Sequence, residues 1–153
     1  MPLQTAPRWL DTEQQRIWRS YLLASARLAQ RLDADLREFG LDLAEYEILV
    51  TLSEAPERRV RMSELAQAVH QSRSRLTHTV SRMENAGLVQ RSDCPSDRRG
   101  VWAHLTGGGM ALLEAAAPSH VEAVRRNFVD AMTEEDYAAL GRAFTAVLAV
   151  PEA

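Results

Sequence analysis

The sequence predicts a mainly α-helical single domain with one short β-hairpin past its middle. Three observations predict it. Apolar residues recur at spacings of three and four through most of the chain, and each run opens on a capping residue. Two short strand-like runs, 88–91 and 101–105, flank a segment rich in turn residues at 92–100. The length of 153 residues suits one domain, and 46% apolar with 25% charged residues is the balance of a folded globular protein.

The elements follow in order. Asp11, with Gln14 three residues on, reads as a capping box. Ile17, Tyr21, Ala24, Leu28, Leu32, Leu36 and Phe39 then make one helical stripe. Gly40 suits the end, because glycine takes positive φ without steric cost. The first helix is therefore expected over about residues 11–39. Trp18, Leu22 and Ala29 add a second apolar ribbon, and a helix with two apolar faces packs against something besides its own core. Asp42 and Glu45 repeat the box, opening a helix to about Glu54 with Ile48, Leu49 and Leu52 inward. Pro56 stops it, since the residue before proline leaves the helical region.

Val60 between Arg59 and Arg61 reads as a short edge strand. Ser63 is expected to cap a helix over 64–69, and Ser72 one over 73–86 that stops at Gly87. Thr106 caps a helix to about Val129, which Pro118 is expected to kink. Thr133 caps the last helix, with Tyr137, Leu140, Phe144, Val147 and Leu148 on one face.

Composition excludes several classes. No stretch approaches the roughly 18 consecutive apolar residues of a membrane span. The opening residues lack the apolar core of a signal peptide, so a cytoplasmic protein is expected, with no membrane partner. A lone cysteine, Cys94, excludes a disulfide framework and a zinc site of several thiolates. No phosphate-binding glycine loop or nucleophile elbow is present, so no enzyme is expected. The four histidines, at 70, 78, 104 and 120, fall on different elements, so neither a metal nor a cofactor is expected.

Charge is unevenly spread. The net charge is −3, yet residues 58–104 carry nine Arg against four acids, and the remainder is acidic. The asymmetry suggests a basic working lobe on an acidic scaffold. All 18 basic residues are Arg, so any cationic phosphate contact is a guanidinium one.

Two short helices joined by a tight turn and followed by a hairpin make a winged helix-turn-helix. Leu65, Val69, Leu76, Val80 and Met83 have the spacing of a core shared by the two helices, and Ala66 allows their close approach. His70-Gln71 forms the turn, and His tolerates the left-handed region better than most residues. Ser72, Arg73, Ser74, Arg75, Thr77, His78 and Arg82 supply a second helix whose polar face suits a major groove. Hydroxyls approach bases without blocking, and Arg bonds bidentately to guanine. Arg98 and Arg99 stand in the turn-rich segment of the hairpin.

Met62-Ser63-Glu64-Leu65-Ala66, the run from Ser72 to Leu88, and Asp97-Arg98-Arg99-Gly100 through Leu105-Thr106 resemble the MarR family of bacterial transcription regulators. The resemblance spans nearly the whole chain. It implies one MarR-type domain over 1–153, with dimerisation helices at 11–54 and 107–150 and a winged-helix lobe at 55–106. It further implies a homodimeric repressor bound to a palindromic double-stranded operator and released by a small phenolic or anionic ligand. One wing Arg is expected in the minor groove, and the other paired with Asp97. The family's pairing of a late recognition-helix acid with the wing maps onto Ser81, which is no acid. Trp18, Tyr21 and Tyr46 could line the effector crevice, although each also sits at core spacing. The alternative is a redox-responsive regulator acting through Cys94, against which Asp93 is expected to raise the thiol pKa.

Overall fold

The computed structural model describes residues 6–152. Asp11 caps α1 (Thr12–Leu36): its side chain accepts from the Gln14 amide at 2.8 Å, and Gln14 returns a bond to the Asp11 amide. A single 3₁₀ turn follows, and Gly40 ends it at φ 71°. Asp42 and Glu45 form the same box at the start of α2 (Leu43–Glu54). A turn with Glu57 and Arg58 at φ 55° and 52° leads into β1 (Arg59–Arg61).

β1 passes directly into α3 (Met62–Ala68), so Ser63 lies inside the first turn and caps nothing. The pairing of Arg61 with Trp102 fixes where the strand ends, and the helix starts at the next residue. His70 turns the corner at φ 53°, and Ser72 caps α4 (Arg73–Asn85) by accepting from the Arg75 amide at 3.2 Å. Gly87 at φ 76° ends it.

β2 (Val89–Cys94) and β3 (Asp97–Leu105) are both longer than their apolar runs, because cross-strand pairing carries the ladder into the polar segment. The sheet is antiparallel in the order β1-β3-β2, with β1 an edge strand. Thr106 caps α5 (Gly107–Val124) by accepting from the Gly109 amide at 3.0 Å. Pro118 is accommodated inside α5, and the helix loosens later into a π turn at Arg125–Val129. Thr133 caps α6 (Glu134–Leu148).

One apolar core runs through the body. Ile48, Leu49 and Leu52 of α2 pack with Leu65, Leu76, Val80 and Met83, and with Ala103 of β3 and Ala116 of α5. The expected shared core of the two short helices is therefore present and is continuous with α2 and α5. α1 contributes only its C-terminal end, Leu32 and Leu36, and α6 buries no residue. The first ribbon of α1 thus divides: Leu32 and Leu36 are inside, while Ile17 and Tyr21 are about half exposed.

Candidate nucleic-acid interface

The interface is built from α4 and the hairpin. The capping bond of Ser72 fixes the start of α4, and Leu76, Thr79, Val80 and Met83 turn its apolar side into the core. Ser72, Arg73, Ser74, Arg75, Thr77 and His78 are consequently all exposed. The Thr77 hydroxyl donates to the Arg73 carbonyl at 2.8 Å, and Ser81 donates to Thr77 at 2.8 Å. The Thr77 hydroxyl proton is thus used within the helix, and the hydroxyl oxygen keeps its acceptor capacity.

The hairpin turns at Pro95 and Ser96. Pairing is regular to Asp93 opposite Val101, then shifts so that Cys94 stands opposite Asp97. Arg98, Arg99 and Gly100 are displaced from the regular ladder by this shift. Gly100 fits a close approach, since a Cβ there would lie 3.0 Å from that of Cys94 and the neighbour would have to give by a few tenths of an ångström. A groove of about 450 Å³ separates α4 from the hairpin, and Arg61, Arg73, Thr77, Arg91, Asp97 and Arg99 are among its lining residues.

The arginines divide into two sets. Arg59 pairs with Glu57, and Arg61 with Asp97 at 3.6 Å. Arg82 reaches Glu45 at 3.5 Å and Asp42 at 3.6 Å, the two carboxylates of the α2 capping box. Arg82, expected at the DNA surface, is exposed and links α4 to α2 through these two carboxylates. Arg91 meets Glu84 in a two-point pair at 2.8 and 2.9 Å, and its backbone amide donates to the same carboxylate at 3.0 Å. These bonds hold the Glu84 pKa below the ordinary carboxylate value, the backbone bond most. Of the nine arginines in 58–104, the guanidiniums of Arg58, in the turn before β1, and of Arg73, Arg75, Arg98 and Arg99 have no carboxylate partner among the described residues.

Three expectations need correction here. The cation beside Asp97 is Arg61, not Arg98 or Arg99; Asp97 instead accepts the Arg99 backbone amide at 3.0 Å. The acid that ties the recognition helix to the hairpin is Glu84, one turn beyond Ser81, and it holds Arg91 on β2. Cys94 is buried, and a hydrogen bond with the Ser96 hydroxyl at 3.3 Å lowers its pKa, where the neighbouring acid was expected to raise it. Arg59, Arg61, Glu84, Arg91 and Trp102 escaped the sequence reading as site residues. The alternation Arg59-Val60-Arg61 was the one signal, since it puts both guanidiniums on one face of a strand.

The three aromatic candidates do not converge. Trp18 and Tyr21 stack at 5.6 Å on the exposed half of α1. With Leu10, Ile17, Phe144, Val147 and Leu148 they line an open apolar hollow between α1 and α6. Tyr46 is buried elsewhere, with its ring 4.2 Å from that of His120. It borders a separate hollow of about 380 Å³ shared with Leu32, Glu47, Val69 and His70. Burial lowers the His120 pKa, only partly opposed by Asp35, and its Nδ1 is buried without a partner. Among the described residues no cluster of His, Cys, Asp or Glu is arranged to hold a metal, and no helix is long and apolar enough to cross a membrane.

The family model of the MarR family matches residues 41–101. The HTH-type transcriptional regulator PecS of Dickeya dadantii is 31% identical over 129 residues, covering 83% of this chain and 76% of PecS. Two solved structures from Streptomyces coelicolor are more similar. AbsC, a MarR family transcriptional regulator, is 46% identical with a TM-score of 0.87, covering 93% of this chain and 96% of its own. Sco3205, a MarR family transcriptional regulator solved in complex with DNA, is 44% identical with a TM-score of 0.89, covering 95% and 91%.

Proposed function

We propose, from the premise that this chain belongs to the MarR family of DNA-binding transcriptional regulators, that it is a cytoplasmic homodimeric repressor released from a palindromic operator by a small ligand. The observation that supports this docking is that the two guanidiniums opening α4 and the two displaced from the hairpin ladder are all left without carboxylates. Residues at the start of a recognition helix lie nearest the base edges. Arg73, Ser74, Thr77 and His78 therefore read the major groove, with Ser72 and Arg75 beside them, and Arg98 and Arg99 reach the adjacent minor groove.

The exposed apolar hollow supports the dimer. Trp9 and Leu148 are each 85% exposed and Val147 is 66% exposed, at the ends of α1 and α6. A chain that leaves these groups in water gains by covering them with a second copy. The hollow beside Tyr46 and His120 supports a ligand seat between the helices that would dimerise and those that would bind DNA. A phenolic or anionic molecule there would find a ring to stack on and an unpartnered imidazole nitrogen.

Selection from a random duplex pool tests the docking. The expected product is an inverted repeat with half-sites about 10 bp apart. Arg73→Ala should cost roughly 1–3 kcal/mol and relax one symmetric pair of positions if Arg73 reads guanine. A selected site without two-fold symmetry contradicts the reading. So does a folded DNA-binding monomer in sedimentation at micromolar concentration.

A further inference from the structure

The hairpin that carries Arg98 and Arg99 is anchored from outside itself. Asp97 is the pivot. Its Oδ1 accepts the Arg99 amide at 3.0 Å, which folds the entry of β3 back on itself. Its Oδ2 lies 3.6 Å from Nη1 of Arg61, a residue of the edge strand β1. Arg61 is itself held, because Trp102 is its direct cross-strand partner and its guanidinium stands 5.4 Å from the centre of that indole. Arg59, on the same face two residues earlier, stands 4.6 Å from the same ring. One indole thus carries two guanidiniums, and the second of them grips Asp97.

The anchor falls where the ladder fails. Pairing is regular only as far as Asp93 and Val101, and the next pair joins Cys94 to Asp97. Arg98, Arg99 and Gly100 lie between these pairs, where the regular pattern of strand bonds does not set their direction. Gly100 has no side chain, and neither Arg98 nor Arg99 has a carboxylate partner. The direction of this segment is therefore set through Asp97.

We propose that Arg61 is the positioning residue of this hairpin: acting through Asp97, it aims Arg98 and Arg99 without touching DNA itself. The proposal rests on the DNA reading above. It differs from a phosphate contact in a measurable way. A lost phosphate contact lowers the slope of log affinity against log salt by about 1, whereas a lost anchor weakens binding with the slope unchanged.

The test uses Arg61→Gln, Asp97→Asn and the double variant, with a duplex selected by the wild-type protein as probe. Each single variant is expected to lose about two- to fivefold in affinity, the scale of a half-exposed ion pair. The double variant should be no weaker than the worse single one. Without DNA, hydrogen exchange at the Arg99 amide should speed up in both single variants. Arg61→Lys, which keeps the charge but not the planar stack on Trp102, should bind between wild type and Arg61→Gln. It also serves as the working variant if Arg61→Gln does not fold. A slope reduced by about 1 in an Arg61 variant, losses that multiply in the double variant, or unchanged exchange at Arg99 would each overturn the proposal. Because exchange is read without DNA, it decides the anchor even if the wild-type protein selects no duplex, an outcome that overturns the DNA reading alone.

Discussion

Three consecutive glycines open α5, and only one of them is sterically required. A Cβ on Gly109 would lie 2.1 Å from the Leu88 carbonyl oxygen and 2.7 Å from Cδ1 of Leu105. The carbonyl cannot swing aside freely, because it accepts the Thr106 amide at 3.2 Å, and the Leu88 amide is bound to Met83 at 2.9 Å. The start of α5 would have to move off the base of the hairpin. Such overpacking costs about 1–3 kcal/mol or more, against a helix-propensity gain of about 1 kcal/mol for Ala over Gly. A Cβ on Gly107 meets nothing within 4 Å, so Gly107→Ala keeps its gain. The propensity gain is common to both variants, so Gly109→Ala should lie roughly 1–3 kcal/mol below Gly107→Ala in stability. At about 2–4 °C per kcal/mol for a chain of this size, thermal unfolding at matched protein concentration should separate the two by about 2–12 °C. Equal midpoints would refute the claim that α5 is seated through the Leu88 carbonyl.

Other outcomes follow from the same geometry. Arg98→Ala and Arg99→Ala should each lower the salt slope of DNA binding by about 1, because both guanidiniums lack a carboxylate; fluorescence anisotropy across a salt series checks this. Counting Arg73, Arg75, Arg98 and Arg99 of each protomer, a dimer should show a slope near −7, and a slope beyond about −12 would mean that the paired arginines also release counterions. Glu84→Gln should cost about 1 kcal/mol at pH 7, since the pair is a third exposed and partly screened. The folded pKa of Glu84 lies below 4.5, so its contribution is present above that value and fades as pH falls through the folded pKa. Urea titrations should find wild type and variant converging there. His120 is depressed below 6.5 by burial, so the unfolded chain takes up its proton first and stability falls as pH drops from 6.5 towards the folded value. His120→Phe should flatten that limb, and an unchanged limb would assign it to other groups.

Local chemistry was the legible part. Asp11, Asp42, Ser72, Thr106 and Thr133 all cap where their spacing predicts, because a cap is decided within four residues. Ser63 fails for a non-local reason: the ladder between β1 and β3 ends at Arg61, and the helix begins there whatever residue follows. The hairpin fails in the same direction, since turn-rich residues 92–94 and 97–100 are drawn into strands by partners across the sheet. Trp18 and Tyr21 show a different blindness. Periodicity identifies an apolar face, but an intramolecular core and an intermolecular one have the same period. Arg61 and Asp97 are 36 positions apart, so no spacing rule joins them.

Nine arginines in residues 58–104 look alike in the sequence, and the fold sorts them by whether a carboxylate meets them. Those at the roots of the interface, Arg59, Arg61, Arg82 and Arg91, each meet a carboxylate and connect one element to another. Arg58, in the turn before β1, and Arg73, Arg75, Arg98 and Arg99 at its outer edges meet none among the described residues. This arrangement explains how an acidic chain can present a basic surface. Glu57, Asp97, Glu45 and Glu84 neutralise root arginines at short range, where the pairs are partly sheltered from salt. The outer guanidiniums stay unscreened by any neighbouring carboxylate and lie nearest an approaching phosphate. The carboxylates near α4 and the hairpin therefore do not simply subtract from the attraction for DNA. By holding the root arginines in place, they fix the two elements whose free arginines face outward.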